Sequence, residues 1–404
     1  MKRLYLLALC LVSGVACFAQ SANYSIECKN PLNIQRQDVA IVQKITDGNV
    51  RSAVVSCDGK EIPCQLDDLN GDGIFDELFF LADFGKKETK TFNIALSTDA
   101  PQKKYTPRVY VEMLLNSPKE KGKRQTSYIS SLTVDNDVDI YNLLQHHGPA
   151  FESELVAYRI YFDKRQTVDI YGKYNKGYEI KQTQFYPTKE ELASGFGDDC
   201  LWVGSTLGVG TLRGWDGEKP RFLDKVSHRS ERIISRGPLR TIVEVEDNCW
   251  DTYNSGKSPL DAVTRYTLCA GHRDVQVDVT FRQKADDYTF CTGVINVKNS
   301  TEYTDKAGLR GCWGTDWPVS EKDSAGHKRE TVGLAVYVPK AYFRQELPAD
   351  KDNYPLLVSP TASCLHYNIA FCSDNESFGF HTDKDWYNWM KAWKRELDTP
   401  VVVR

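Results

Sequence analysis

Five residues within a stretch of fifteen could do chemistry together: Arg159, Tyr161, Asp169, Tyr171 and Lys173. A guanidinium forks onto a carboxylate, an ammonium adds a second positive charge, and a flat ring lies against the face of a pyranose. That combination suits an acidic sugar. His146-His147-Gly148-Pro149 leads into the stretch with two rings that titrate near neutrality. β-Elimination from a uronate needs its carboxylate neutralised, a base for the C5 proton and an acid for the leaving oxygen. Arg159 and Lys173 are candidates for the carboxylate, His147 or His228 for the base, and Tyr161 for the acid. His146, Tyr171, Asp199, Trp215 and Asp216 are the candidate substrate-binding residues, with Trp215 stacking on a sugar. Glycoside hydrolysis would instead require two carboxyls across the bond, for which Glu152, Asp199 and Asp216 are available. A non-catalytic glycan-binding protein could use the same aromatic and cationic face. Against all three stands a solvated strand face with cross-strand ion pairs of little energetic weight.

These residues need elements to hold them. Val156, Tyr158, Ile160 and Phe162 alternate with Ala157, Arg159, Tyr161 and Asp163. After the turn Lys164-Arg165-Gln166, Val168 and Ile170 alternate with Thr167, Asp169, Tyr171 and Lys173. A period of two predicts a hairpin with one face in a core. Downstream, the run Gly195–Gly217 is rich in glycine, implying tight loops around Trp215 and several carboxylates. Further strands are expected at 239–245, 275–282, 332–338 and 367–371. One clear helix, Asp383 to Leu397, carries Trp386, Met390, Trp393 and Leu397 on a single stripe that docks on a sheet. Many strands and few helices predict an all-β sandwich.

The chain divides into a secretion signal over 1–19, a small N-terminal β domain over 20–107 and a larger β domain over 108–404. Lys2-Arg3, the apolar run Leu4–Phe18 and Cys17-Phe18-Ala19 form the signal, with cleavage near Ala19, so the mature protein is expected in the periplasm. No later segment is apolar enough to span a bilayer. A net charge of -4 gives no basic balance for nucleic acid. In the small domain, Asp68, Asn70, Asp72, Ile74, Asp76 and Glu77 form the front half of a calcium loop without flanking helices; a bound Ca2+ would be structural, and no organic cofactor is implied. The same residues also suit a plain hairpin turn. Ten cysteines remain after the signal; Cys57 and Cys64 would close a short loop, and most of the others read as buried free thiols.

Asp67-Asp68-Leu69-Asn70-Gly71-Asp72-Gly73 with Asp76-Glu77-Leu78, Gly148-Pro149-Ala150, Ala157-Tyr158-Arg159-Ile160-Tyr161 and Gly172-Lys173 carry a family resemblance. With Val203–Gly210 and Gly237-Pro238-Leu239-Arg240, the chain resembles an uncharacterised, exported domain-of-unknown-function family of polysaccharide-degrading Gram-negative bacteria. The resemblance implies a galactose-mutarotase-like β-supersandwich and an acidic oligosaccharide as partner. It supplies no catalytic residues, and a fold alone does not fix a function.

Overall fold

The computed structural model describes residues 21–99, 101–117 and 124–404; the signal over 1–19 and most of the charged loop Lys119–Arg124 lie outside them. The protein is all-β, with strands paired antiparallel throughout the described sheets. Near the N-terminus, a five-stranded sheet (402–403, 21–29, 89–97, 52–57, 60–62) packs on a three-stranded one (36–44, 77–84, 64–67). Ile26, Val55, Phe80, Phe92 and Ile94 fill the space between them. The last strand returns from the far end of the chain: Val403 pairs with Cys28, so the C-terminal tail completes the N-terminal sheet. No strand occurs over the described part of Thr98–Pro107.

Beyond residue 108, a nine-stranded sheet faces two five-stranded sheets across one continuous core. Alternation writes this arrangement into the sequence. Leu260–Cys269 buries every second residue, as does Asp274–Phe281 on the neighbouring strand. The helix Asp383–Asp398 starts where the Thr382 hydroxyl accepts the Asp385 amide, and it lays Trp386, Met390 and Trp393 on Leu309, Ala335 and Tyr337 of the large sheet. All ten described cysteines are free, and six of them are buried. The bridge expected between Cys57 and Cys64 is therefore not formed; the Cys64 thiol instead donates to the Ala53 carbonyl.

Candidate functional site

The expected hairpin is present, with Ala157–Ile160 paired to Val168–Gly172 and Arg159 directly opposite Asp169. Ala150–Ser153, Val109–Glu112 and Asp198–Asp199 extend it to a five-stranded sheet. The first departure from expectation concerns its second face, which is not open. Residues 173–197 leave the sheet and fold back over it, and Ile180 and Phe185 bury Ala150, Ala157 and Tyr171. Gly197 makes this return possible: a Cβ there would lie 1.8 Å from the Gly172 carbonyl oxygen.

Lys173 is accordingly no substrate grip. Its ammonium is fully buried and donates to Glu152 Oε2 at 2.6 Å, the Ser153 carbonyl at 2.8 Å and the Gly177 carbonyl at 2.5 Å. The Glu152 carboxylate also accepts the amides of Glu179 and Ile180, which ties the returning segment to the sheet. Burial raises the Glu152 pKa and the adjacent ammonium opposes that rise. Glu152 is thus unavailable for hydrolysis. Tyr171 is likewise internal, its hydroxyl donating to the Gly197 carbonyl. His146 is buried between Glu112 (3.0 Å) and the Gly148 carbonyl (3.0 Å).

Arg159 sits at the centre, 3% exposed, and its donors are heavily committed. Nε and Nη2 both reach Asp169 Oδ2, at 3.0 and 2.7 Å. Nη2 also meets Asp199 Oδ2 at 2.6 Å and the Tyr161 hydroxyl at 3.1 Å, while Nη1 donates to the Tyr186 hydroxyl at 3.0 Å. The Phe185 ring lies 4.3 Å below the guanidinium. Its charge is already matched by the Asp169 carboxylate before any substrate arrives. Burial pushes the Asp199 carboxyl well above its usual range; Arg159 opposes this and Asp169 adds to it. Asp199 nevertheless keeps about a fifth of its side-chain exposure, at 19%. Tyr161 donates to Asp169 Oδ2 at 2.9 Å, and its pKa is raised by burial and by that carboxylate. With its proton committed inward, Tyr161 is a wall of the site and not its acid.

His147 occupies the outer edge of this cluster. The chain turns sharply there, with φ of 46° at His146 and 66° at His147, a conformation costly for side chains with a Cβ. The His147 ring stacks on Tyr141 at 4.1 Å and on Tyr161 at 5.6 Å. Nδ1 lies 2.6 Å from the Tyr141 carbonyl. Because a carbonyl only accepts, Nδ1 carries a proton, and the neutral ring presents an unprotonated Nε2. Burial lowers the His147 pKa, opposed by the Tyr141 carbonyl and assisted by Arg159 and Arg165. Nε2 has no hydrogen-bond partner among the described residues. Arg165 lies over both tyrosine rings, 5.3 Å from Tyr141 and 4.8 Å from Tyr161, and pairs with Asp163. It keeps 20% of its side-chain exposure, which makes it a reachable cation beside His147.

The remaining candidates lie elsewhere. His228 begins a strand of the nine-stranded sheet, bonded to the Ser227 hydroxyl at 3.1 Å. Trp215 is half-buried opposite Pro220, and Asp216 caps its turn by accepting the Glu218 and Lys219 amides while pairing with Arg221. None of the three has a described contact with the hairpin. Arg165, Tyr141 and Tyr186 were not singled out from the sequence. The first reads as a turn residue, and the others lie in segments without periodicity.

In the Asp68–Glu77 loop, Asp68 accepts the Gly71 and Gly73 amides, at 2.7 and 2.8 Å, and Asn70 and Asp72 cap the amides two residues on. Asp76 accepts the Leu69 amide and Glu77 pairs with Arg240. Among the described residues, no three His, Cys, Asp or Glu side chains are grouped to hold a metal ion. These bonds hold the loop backbone as a plain hairpin turn requires, with Glu77 tied to Arg240.

Residues 28–403 match the family described as Domain of unknown function (DUF4861), and the chain belongs to it. No curated protein matches the chain. Among solved structures, an alpha-mannosidase from Enterococcus faecalis V583 aligns at 9% identity and a TM-score of 0.47, over 94% of this chain and 46% of that one. A glycosyl hydrolase family 38 protein from Enterococcus faecalis aligns at 8% and 0.47, over 95% and 47%. The chain thus spans about half the length of these two proteins. No described helix is long and apolar enough to cross a membrane.

Proposed function

We propose that this member of the family is a carbohydrate-active enzyme that cleaves uronate-containing oligosaccharides by β-elimination, in the periplasm to which its N-terminal signal directs it. The observation that carries the reading is His147: a neutral imidazole with its tautomer fixed by the Tyr141 carbonyl, stacked between two tyrosines beside a reachable arginine. In the reaction, Nε2 takes the C5 proton, and the C5–H electrons form the C4=C5 double bond as the C4–O bond breaks. The departing oxygen takes a proton from Asp199, whose carboxyl burial shifts toward its protonated form against the pull of Arg159. Arg165 faces the uronate carboxylate and steadies the charge that builds there. Arg159 holds Asp199 and Asp169 in place without touching substrate.

A hydrolytic reading has one observation in its favour. Asp169 and Asp199 both sit on Arg159 Nη2, at 2.7 and 2.6 Å, so two carboxyls of unlike environment lie close together. A panel of uronate oligosaccharides separates the two readings. Elimination yields a conjugated uronate that absorbs in the ultraviolet, whereas hydrolysis yields reducing ends without that absorbance. Ultraviolet product from the wild type, and at least about a hundredfold less from His147→Ala, is the expected result; wild-type turnover in His147→Ala would overturn the assignment.

A further inference from the structure

A second site lies away from the hairpin, where the N-terminal sandwich leans over the outer face of the nine-stranded sheet. There a cleft of about 970 Å3 opens between the Asp67–Gly71 loop and the strands 228–236, 240–250 and 260–269. Such a volume is within the range that ligands fill. Its floor is a cross-strand row, with Arg232 opposite Glu244 and Glu244 opposite Arg265. Arg232 donates from Nε and Nη2 to Glu244 and from Nη2 to Glu246, at 2.6–2.9 Å. Arg265 donates from Nε to Glu244 at 2.6 Å and from Nη2 to the Leu69 carbonyl at 2.7 Å, which fixes the overhanging loop to the floor. Each therefore keeps Nη1 without a partner among the described residues. At the rim, Arg236 is exposed, and Arg282 is 66% exposed with a single bond to Glu246 at 3.2 Å.

Four guanidinium groups thus share this cleft with Glu244, Glu246, Asp67 and Asp68, of which Asp67 is taken up by Arg240 and Asp68 by its own loop amides, and Phe75 contributes a half-buried ring to its wall. The spare donors suit carboxylate or sulfate oxygens. The interleaved glutamates are acceptors, which hydroxyl groups need and a phosphate backbone does not. We propose that this cleft binds an acidic glycan segment, independently of the His147 site.

Calorimetric titration of the full chain with a galacturonate hexasaccharide tests this, with a sulfated hexasaccharide and a single-stranded oligonucleotide as parallel arms. The variant is Arg236→Ala/Arg282→Ala, which removes only rim side chains and should melt with the wild type. It is expected to lose one equivalent of bound hexasaccharide, or to bind it about tenfold more weakly, whatever happens at His147. Loss in the uronate arm alone assigns carboxylate recognition, and loss in both glycan arms assigns oxyanion glycans in general. Unchanged stoichiometry and affinity in the variant, no saturable glycan binding by the wild type, or tighter binding of the oligonucleotide would each overturn the proposal. Failure of the His147 reading would leave this result untouched, because His147→Ala removes turnover and not this equivalent.

Discussion

At His147, one hydrogen bond decides what the ring can do. Its Nδ1 proton is held by a backbone carbonyl, so the free nitrogen is the basic one, and burial keeps the ring neutral to lower pH than an ordinary histidine. Replacing it by alanine should reduce turnover by about 10^2–10^4, the usual contribution of a positioned base. The rate should climb with pH through a value below 6.5, as His147 deprotonates, and fall again once pH passes the raised value of Asp199 and its proton is lost. Measuring kcat/KM against pH checks both limbs, and a profile without an alkaline fall removes Asp199 as the acid. Arg165 tests the substrate's charge. Arg165→Ala should lower kcat/KM on uronate oligosaccharides by about 10^2 while sparing binding of neutral ones. Equal losses on both would mean that the side chain only braces Tyr141 and Tyr161.

At the scale of elements, the hairpin was legible from sequence and its surroundings were not. A strand imposes a period of two on whatever packs against it, so the face that Arg159 and Asp169 share could be anticipated from alternation. The register that sets them opposite each other could not, because the strands end at Ile160 and restart at Val168, away from the expected three-residue turn. The cover could not. Residues 173–197 have no periodicity, yet they bring Ile180, Phe185 and Tyr186 onto the face that alternation leaves open in principle. Alternating polar residues look the same whether the polar face meets water or a second polar layer, which is why Lys173 read as a binding group. Its actual work is to clamp strand to cover through Glu152. Lys173→Met would strand a buried carboxyl that also anchors two amides, and the fold should lose about 3–5 kcal/mol. Urea unfolding would show this, with activity per folded molecule unchanged; a raised KM at unaltered stability would return Lys173 to the substrate. Arg165 was hidden for a related reason, since a turn residue carries no pattern to announce that its side chain folds back over two rings.

Across the whole molecule, the two sandwiches meet through a seam that mixes apolar and charged contacts, and its stability is tied to pH. Phe79 and Leu81 pack on Val109, Leu239 and Ala270, while Arg240 bridges to Asp67 and Glu77. His272 lies at the same seam, with Nε2 2.8 Å from the Asp38 carbonyl and Nδ1 3.1 Å from Asp274. Burial disfavours its charge, but Asp274 and the Asp38 carbonyl outweigh that penalty and push its pKa up to about 9. A histidine whose folded pKa exceeds its unfolded value holds the proton more tightly when folded. Its stabilisation is therefore complete below about pH 6.5 and is lost as pH rises through 9. The loss should approach, at most, about 3 kcal/mol, since the side chain is partly solvated. Urea unfolding of the wild type and of His272→Gln at pH 6 and pH 9.5 measures it. The wild type should lose more stability than the variant between those two values, because only it has a proton to give up at the seam. Parallel losses would mean that His272 is already neutral in the folded protein, and that the two sandwiches are joined by packing and by Arg240 without its charge.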